Sequence, residues 1–321
     1  MNPFSVAIKI REGIVSFITY IKPATSGGPV IYVYDWLAWE NSLFRALFTS
    51  AVRIKADITQ KNKHVLKRVT RQNGYFLFHV NLTDTSKFFE DKETLCDALK
   101  SRNITCLNKD ITNISKKFVQ DACLFLGLNS TRAFQDGDPD ELLIIKTNDN
   151  FGGVNEAILT VAQKIKLGIT AAISNPDLNY IVTERCTIEQ NIWDDSSRVI
   201  EQYISNADNL YYRIYKVNNR TAISEASEAG LIKKMPDGIK RTNYFFDTLA
   251  EDSFNTTKAD MTELYFIINK FCTHIKLDFG ALDVVRNDNN QFYIIDVNTT
   301  PSWGRKLYPE PELFEFLAGG L

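Results

Sequence analysis

The chain has 321 residues, 44% of them hydrophobic and 24% charged, with a formal net charge of −2. This is the composition of a soluble globular protein with ample core, long enough for two domains or one large α/β unit with an attached subdomain. A balance so near neutrality excludes bulk electrostatics as a route to a polyanion or a membrane surface, so neither nucleic acid nor membrane is expected as a partner.

Five cysteines are scattered without a C-x-x-C spacing, which suits reduced thiols in a cytoplasmic protein. The three histidines, His64, His79 and His274, lack metal-ligand spacing. The apolar run Gly13–Ile21 is broken by Ser16 and Thr19, and is too short and too polar to span a bilayer.

In chain order, KPATSGGP closes the first 29 residues as a linker or exposed turn. Val30–Tyr34 reads as a strand. Trp36, Trp39, Leu43, Phe44 and Leu47 then recur at helical spacing as a core-facing stripe. The basic segment from Val52 to Gln72 reads by default as a solvated helix or loop face. Tyr75–Val80 reads as a second strand, although it could also pass for a short buried helix segment; DKETLCDALKSRN is a helix and NITCLN a further strand, so this region is a small α/β domain with a mostly parallel sheet. A helix follows from about Asn113 to Leu126, with Gly127 as its stop.

From Glu141 the pattern changes. ELLIIK is an apolar strand ending in Lys146, and TNDNFGG leads into a helix over Val154–Lys166. Backbone N–H groups of such a loop can cradle phosphate oxygens, although its spacing matches neither the P-loop nor G-x-G-x-x-G, and a plain tight turn is the default. RVIEQYI is a strand, SNADN a turn, and LYYRIYKV a strand that sets Tyr211, Arg213 and Tyr215 on one face.

The stretch LDFGALDVVRNDNNQFYIIDVNTTPSWG reads as a β-hairpin, Ala281–Val285 with Phe292–Val297, closed by a two-residue Asn289-Asn290 loop. That register opposes Asp288 with Gln291, Asp283 with Asp296, and Ala281 with Asn298. It sets Asp283, Asp296 and Asn298 on one face, with Leu282, Val284, Ile295 and Val297 on the other. Opposed side chains have Cβ atoms roughly 4.5–5.5 Å apart, and like charges there destabilise a sheet. Magnesium would reverse that sign, because it takes carboxylate and amide oxygens at about 2.0–2.1 Å together with substrate phosphates. Two readings stand at this point: a cation site, or a solvated face carrying two unrelated aspartates.

Together and in this order, the pieces resemble the ATP-grasp superfamily of the glutathione synthetase type, from roughly Ile104 to Gly304. The resemblance implies an α/β protein with the α+β ATP-grasp fold. A small N-terminal α/β domain (1–110) precedes an ATP-grasp domain (111–321), whose lid-like (111–205) and metal-binding (206–321) subdomains clasp ATP. It implies that Asp283, Asp296 and Asn298 hold Mg2+, that Lys116 (rather than Lys117) and Lys146 contact phosphates, and that Gly152 and Gly153 close over them. Glu201, Gln202, Tyr203 and Ile204 would offer backbone groups to adenine, Asp208 would serve the ribose, and Arg213 would steady the transferred phosphoryl group. The chain departs from the family pattern in three places. Asp296 stands where many relatives have Glu, the loop is poorer in glycine, and the position near Tyr211 that usually serves the ribose is not acidic.

After Asn298, Pro301 and Gly304 turn the chain beside the proposed metals, which puts Ser302, Trp303 and Arg305 at the acceptor end. Arg305 could hold a substrate carboxylate bidentately. Trp303 either walls the pocket or packs the turn onto the core. Truncating Lys116 or Lys146 is expected to weaken nucleotide binding rather than folding. The activity implied is that of an ATP- and Mg-dependent carboxylate–amine ligase forming ADP and phosphate. Its substrate would be a small molecule, amino acid or peptide, and a homodimer is an assembly it allows. The alternatives are an ATP-grasp kinase acting on a hydroxyl, and a nucleotide-binding module without catalysis.

Overall fold

The computed structural model describes residues 28–89, 91–169, 180–227, 230, 241–249, 258–303 and 310–321. The α/β class holds, with one parallel and two antiparallel sheets. β1 (Val30–Trp36), β2 (Val52–Lys55), β3 (Gly74–Val80) and β4 (Ile104–Leu107) form a parallel sheet in the order β2-β1-β3-β4. α1 (Leu43–Leu47), α2 (Asn62–Arg68) and α3 (Lys92–Lys100) connect them. α3 shows why a short helix forms here. The Asp91 side chain caps it by accepting from the Thr94 N–H, and Leu95 and Leu99, one turn apart, are buried.

Two expectations for this region change. The aromatic stripe is not one helix: Trp36 ends β1, Leu37 turns the chain at φ 60, and only Leu43–Leu47 is helical. The basic segment is not all solvated helix or loop, because Val52–Lys55 pairs with β1 and buries Ile54.

α4 (Lys116–Phe125) is capped by the Ser115 hydroxyl and stops where Gly127 adopts φ 64. β5 (Leu142–Thr147), α5 (Val154–Ala157), α6 (Val161–Leu167), β6 (Ile181–Glu184), α7 (Gln190–Trp193) and β7 (Arg198–Gln202) follow, with the antiparallel order β6-β5-β7. The helix expected over Val154–Lys166 is two helices, because Thr160 and Gln163 form a capping box that starts the second.

β8 (Leu210–Val217), β9 (Arg220–Ser227), β10 (Thr242–Asp247), β11 (Phe279–Arg286) and β12 (Phe292–Asn298) make a five-stranded antiparallel sheet ordered β10-β9-β8-β11-β12. α8 (Ala259–Ile275) precedes β11, and α9 (Pro311–Ala318) closes the chain. One face of this sheet, with Ile214, Leu282 and Val297, packs on α4 and α8 through Val119, Leu264 and Ile268. Each such buried aliphatic contributes about 1.5–3 kcal/mol. On the other face, Phe279 and Ala281 pack against Leu43, Phe44 and Leu77 of the parallel-sheet region. Asn108, at φ 56, ties the two sheets together. Its amide donates to Phe279 O at 2.8 Å and accepts from the Asp278 and Phe279 N–H groups at 3.0 and 2.9 Å.

The hairpin opposes Asp283 with Asp296 and Ala281 with Asn298, as the sequence suggests. Nearer the turn the register slips by one, pairing Val284 with Ile294 and Arg286 with Phe292. A bulge at Ile295 absorbs the extra residue. The loop is therefore not the two-residue Asn289-Asn290 turn, and Asp288 does not oppose Gln291. Asn287 N–H instead bonds Gln291 O at 2.9 Å, with Asn290 at φ 63, the left-handed residue of a longer hairpin loop. Ile294 takes the core position, whereas Ile295 moves to the site side of the sheet. No described helix is long and apolar enough to cross a membrane.

Candidate active site

A cleft of ≈ 920 Å3 lies between the three sheets. A row of polar residues stands in direct cross-strand register over five strands, Asn243, Ser224, Arg213, Asp283 and Asp296, and the last three of these line the cleft as its floor. Arg213 Nη1 meets Asp283 Oδ1 at 2.5 Å, and Ser224 Oγ meets Asn243 Oδ1 at 2.5 Å. Asp296 Oδ1 is buried and has no hydrogen-bond partner among the described residues; Lys116 Nζ is 4.0 Å away. Burial raises the Asp296 carboxyl above its ordinary range; Lys116 opposes that shift and the Asp283 charge adds to it.

A divalent cation bound through oxygen would satisfy that orphaned atom and remove the repulsion between the two carboxylates. The residues present fit magnesium. Asn298 fits less simply, since its Oδ1 already accepts from the Thr300 N–H at 2.8 Å and the Thr300 hydroxyl at 3.2 Å.

Lys146 and Glu201 form the opposite wall. Both point to the cleft side of the three-stranded sheet, while Leu143, Ile145 and Ile200 fill a small core behind it. Glu201 is fully buried, and its Oε2 takes Lys146 Nζ at 2.5 Å. Glu201 Oε1 is buried without a partner among the described residues. Lys116, at the first turn of α4, is 4% exposed and donates to Asp149 O at 2.9 Å, whereas Lys117 is exposed.

Between these lysines the loop runs through Phe151 (φ 48), Gly152 (φ 67) and Gly153 (φ 72), three successive left-handed residues. Such a conformation is strained for a bulky residue, and strained backbone concentrates at functional sites. Gly152 lines the cleft; Gly153 caps α5.

At the end of β7, the hinge expected to meet adenine, Gln202 N–H donates to Thr131 O at 2.6 Å and Tyr203 N–H to Leu142 O at 3.0 Å, so these two donors are already paired within the protein. Gln202, Tyr203 and Ile204 all line the cleft. Asp208 does not; it is largely exposed and pairs with Arg286 at 3.2 Å. The carboxylate beside the hinge is that of Asp288, which accepts from Ser205 Oγ at 2.5 Å and the Ala207 N–H at 2.7 Å. Arg305 lies outside the described residues.

Among the cleft residues that the sequence does not announce are Arg241 and Tyr180. Arg241 binds Glu310 at 2.8 Å and the Tyr215 hydroxyl at 3.1 Å, and lies 5.4 Å over the Trp303 ring. Its Nε is buried without a partner among the described residues. A lone Arg just before a strand carries no periodic signal. Tyr180 faces the carboxylates, and burial, then the charges of Asp296 and Asp283, push its phenol up to about 12. Trp303 both packs and walls: it is 8% exposed, stands edge-on to Phe314 at 4.7 Å, and lines the cleft.

No protein-family model matches the chain, and no curated protein matches it. Among solved structures, the chain is similar to an ATP-grasp ligase complexed with a minimal precursor, at 10% identity and a TM-score of 0.48, covering 92% of this chain and 99% of that one. It is also similar to a macrocyclase from Microcystis aeruginosa bound with its precursor peptide, at 12% identity and 0.45, covering 91% and 98%. A third is D-alanine–D-alanine ligase from Bacillus anthracis complexed with ATP, at 12% identity and 0.43, covering 92% and 96%.

Proposed function

We propose that the chain is an ATP- and Mg-dependent ligase of the ATP-grasp type, joining a carboxylate to an amine with release of ADP and phosphate. The observation that carries this reading is one cleft with opposed Asp283 and Asp296 on its floor and Lys116 and Lys146 on its walls. In this reading residues 1–110 form the preceding α/β domain, and residues 111–321 form the ATP-grasp domain with its 111–205 and 206–321 subdomains.

Phosphoryl transfer is mainly positioning and charge neutralisation, which needs cations more than an acid–base pair. Lys146 and Lys116 would bind phosphate oxygens, and the hinge from Glu201 to Ile204 would take the adenine edge. Arg213 would neutralise the transferred group. Asp283 and Asp296, with Asn298, would hold magnesium, which supplies charge neutralisation at the phosphates when bound. The acid substrate's oxygen forms a bond to the γ-phosphorus while the bond to the ADP oxygen breaks. The amine then adds to the acyl carbon, phosphate leaves, and the amine gives up one proton. Trp303, packed at the acceptor end, would keep water from the acyl phosphate.

The second reading is a kinase passing phosphate to a hydroxyl, favoured by Asp296 where the ligase pattern often has Glu. Incubating the protein with Mg-ATP and pooled metabolites separates the two. A product with the mass of acid plus amine minus water supports the ligase. A product heavier by one phosphate replaces it with the kinase, and no ATP-dependent product contradicts both.

A further inference from the structure

The parallel sheet brings its own polar cluster to the cleft, and the nucleotide chemistry above uses none of it. Asp35 at the end of β1 and His79 on β3 are register partners and fully buried, with His79 Nδ1 2.8 Å from Asp35 Oδ1. The other carboxylate oxygen holds Arg53 of β2 through Nε at 3.1 Å and Nη2 at 2.8 Å. A buried carboxylate is costly unless paired, so Asp35 is fixed by these partners and in turn fixes the arginine. The Arg53 side chain is 36% exposed and lines the cleft, and the Trp39 ring, also on the cleft, lies 5.5 Å from its guanidinium carbon.

One edge of this guanidinium is therefore clamped, while Nη1 has only a long ion-pair contact to an exposed carboxylate. That carboxylate is Glu40, at 4.0 Å, beyond hydrogen-bond reach; Glu40 is already paired with Arg45 at 2.7 Å. A pre-oriented guanidinium loses little freedom on binding an anion, and its planar fork suits a carboxylate. The position agrees with the general rule for open α/β sheets, whose ligands bind outside the carboxyl ends of the strands. The same rim is stitched to the segment that follows Asn298. Leu43 N–H donates to Pro301 O at 2.8 Å, Trp303 N–H to Asn41 O at 2.9 Å, and the Thr300 hydroxyl to Asn81 Oδ1 at 3.0 Å. Arg53, which lines the cleft together with Trp303, thus stands at the acceptor end.

We propose that Arg53, clamped by Asp35, binds a substrate carboxylate other than the one that is activated, with the attached chain lying against Trp39. The proposal rests on the ligase reading and narrows its substrates. One partner is a dicarboxylic acid, or the amine partner is an amino acid or peptide with a free C-terminus.

The test is ligand-observed saturation-transfer NMR on the full chain with two matched panels. One compares succinate, glutarate and adipate with their monoamides. The other compares free L-amino acids with their amides. In at least one panel the acid should bind on the order of tenfold more tightly than its amide. A preference in the first panel assigns the carboxylate to the acid partner, and one in the second assigns it to the amine partner. Arg53→Gln should abolish the preference, and Arg53→Lys, which keeps a cation beside Asp35 but not the fork, should weaken it several-fold. Mg-ADP binding by calorimetry should stay unchanged in both variants. The proposal is overturned if wild type shows no acid preference in either panel, or if the preference survives in both variants. Failure of Mg-ADP to bind wild type would instead sink the nucleotide reading and leave the acid-over-amide result standing.

Discussion

Arg213 and Asp283 face each other in register on β8 and β11, with Nη1 of the arginine 2.5 Å from Oδ1 of the aspartate. The arginine therefore neutralises one member of the opposed aspartate pair and competes with any cation for that oxygen. At about 4 Å and an effective dielectric near 20, a unit charge is worth ~4 kcal/mol, enough to alter metal affinity visibly. Arg213→Gln should bind Mn2+ at least about tenfold more tightly without nucleotide, yet lose on the order of 10²–10³ in turnover. Calorimetry with Mn2+ and an ADP-release assay check both; unchanged Mn2+ affinity would separate Arg213 from the metal site.

Lys146 is the hydrogen-bonded partner of a fully buried Glu201, which alters the expectation that its truncation spares the fold. Lys146→Met should cost roughly 3–5 kcal/mol, because it leaves a buried charge uncompensated. The double variant Lys146→Met/Glu201→Gln should recover most of that stability but none of the Mg-ADP affinity. Urea unfolding and calorimetry read the two effects separately.

Glu156 is 5% exposed, and burial raises its carboxyl above the ordinary 4.5. Its Oε1 accepts from the Thr83 N–H at 2.7 Å, while Oε2 has no partner among the described residues. With the folded value raised, the folded state holds the proton more tightly than the unfolded chain does. The stability tied to this group is present at low pH and is lost as pH rises above 4.5. Glu156→Gln keeps the acceptor and removes the charge. Its melting temperature should match wild type near about pH 4 and exceed it by a few degrees at neutral pH, the scale of about 1 kcal/mol. An advantage that shrinks as pH rises would contradict this assignment.

Phe151 sits at φ 48 with its side chain largely exposed, so little packing compensates the strained backbone. Phe151→Gly should stabilise the protein by about 0.5–1 kcal/mol in urea unfolding. A loss of stability would mean that the ring contributes more than its exposure suggests.

The α/β class and the pairing of the hairpin are both legible in the sequence. The opposition of Asp283 to Asp296 is legible because two-residue alternation fixes which side chains share a face, whereas Lys146 and the strand of Glu201 enter only through the family resemblance. Ile295 was misplaced because a bulge breaks that alternation, and nothing local announces one. β2 was hidden in a basic run, since only Ile54 is fully buried in it. α8, with buried residues from Met261 to Ile275, is periodic but went unread beside the louder hairpin signal. Arg241 and the Asp35–His79–Arg53 cluster depend on contacts between segments distant in sequence, which no spacing rule encodes.

The central claim is that a substrate carboxylate, not water or a hydroxyl, attacks the γ-phosphate in this cleft. It is tested most directly by supplying pooled acids whose carboxyl oxygens carry heavy-oxygen label, together with pooled amines and Mg-ATP, and reading the released phosphate by mass spectrometry. Transfer through an acyl phosphate places one labelled oxygen in each phosphate formed with product. Unlabelled phosphate, or label that never leaves the acid while ADP accumulates, would contradict the account.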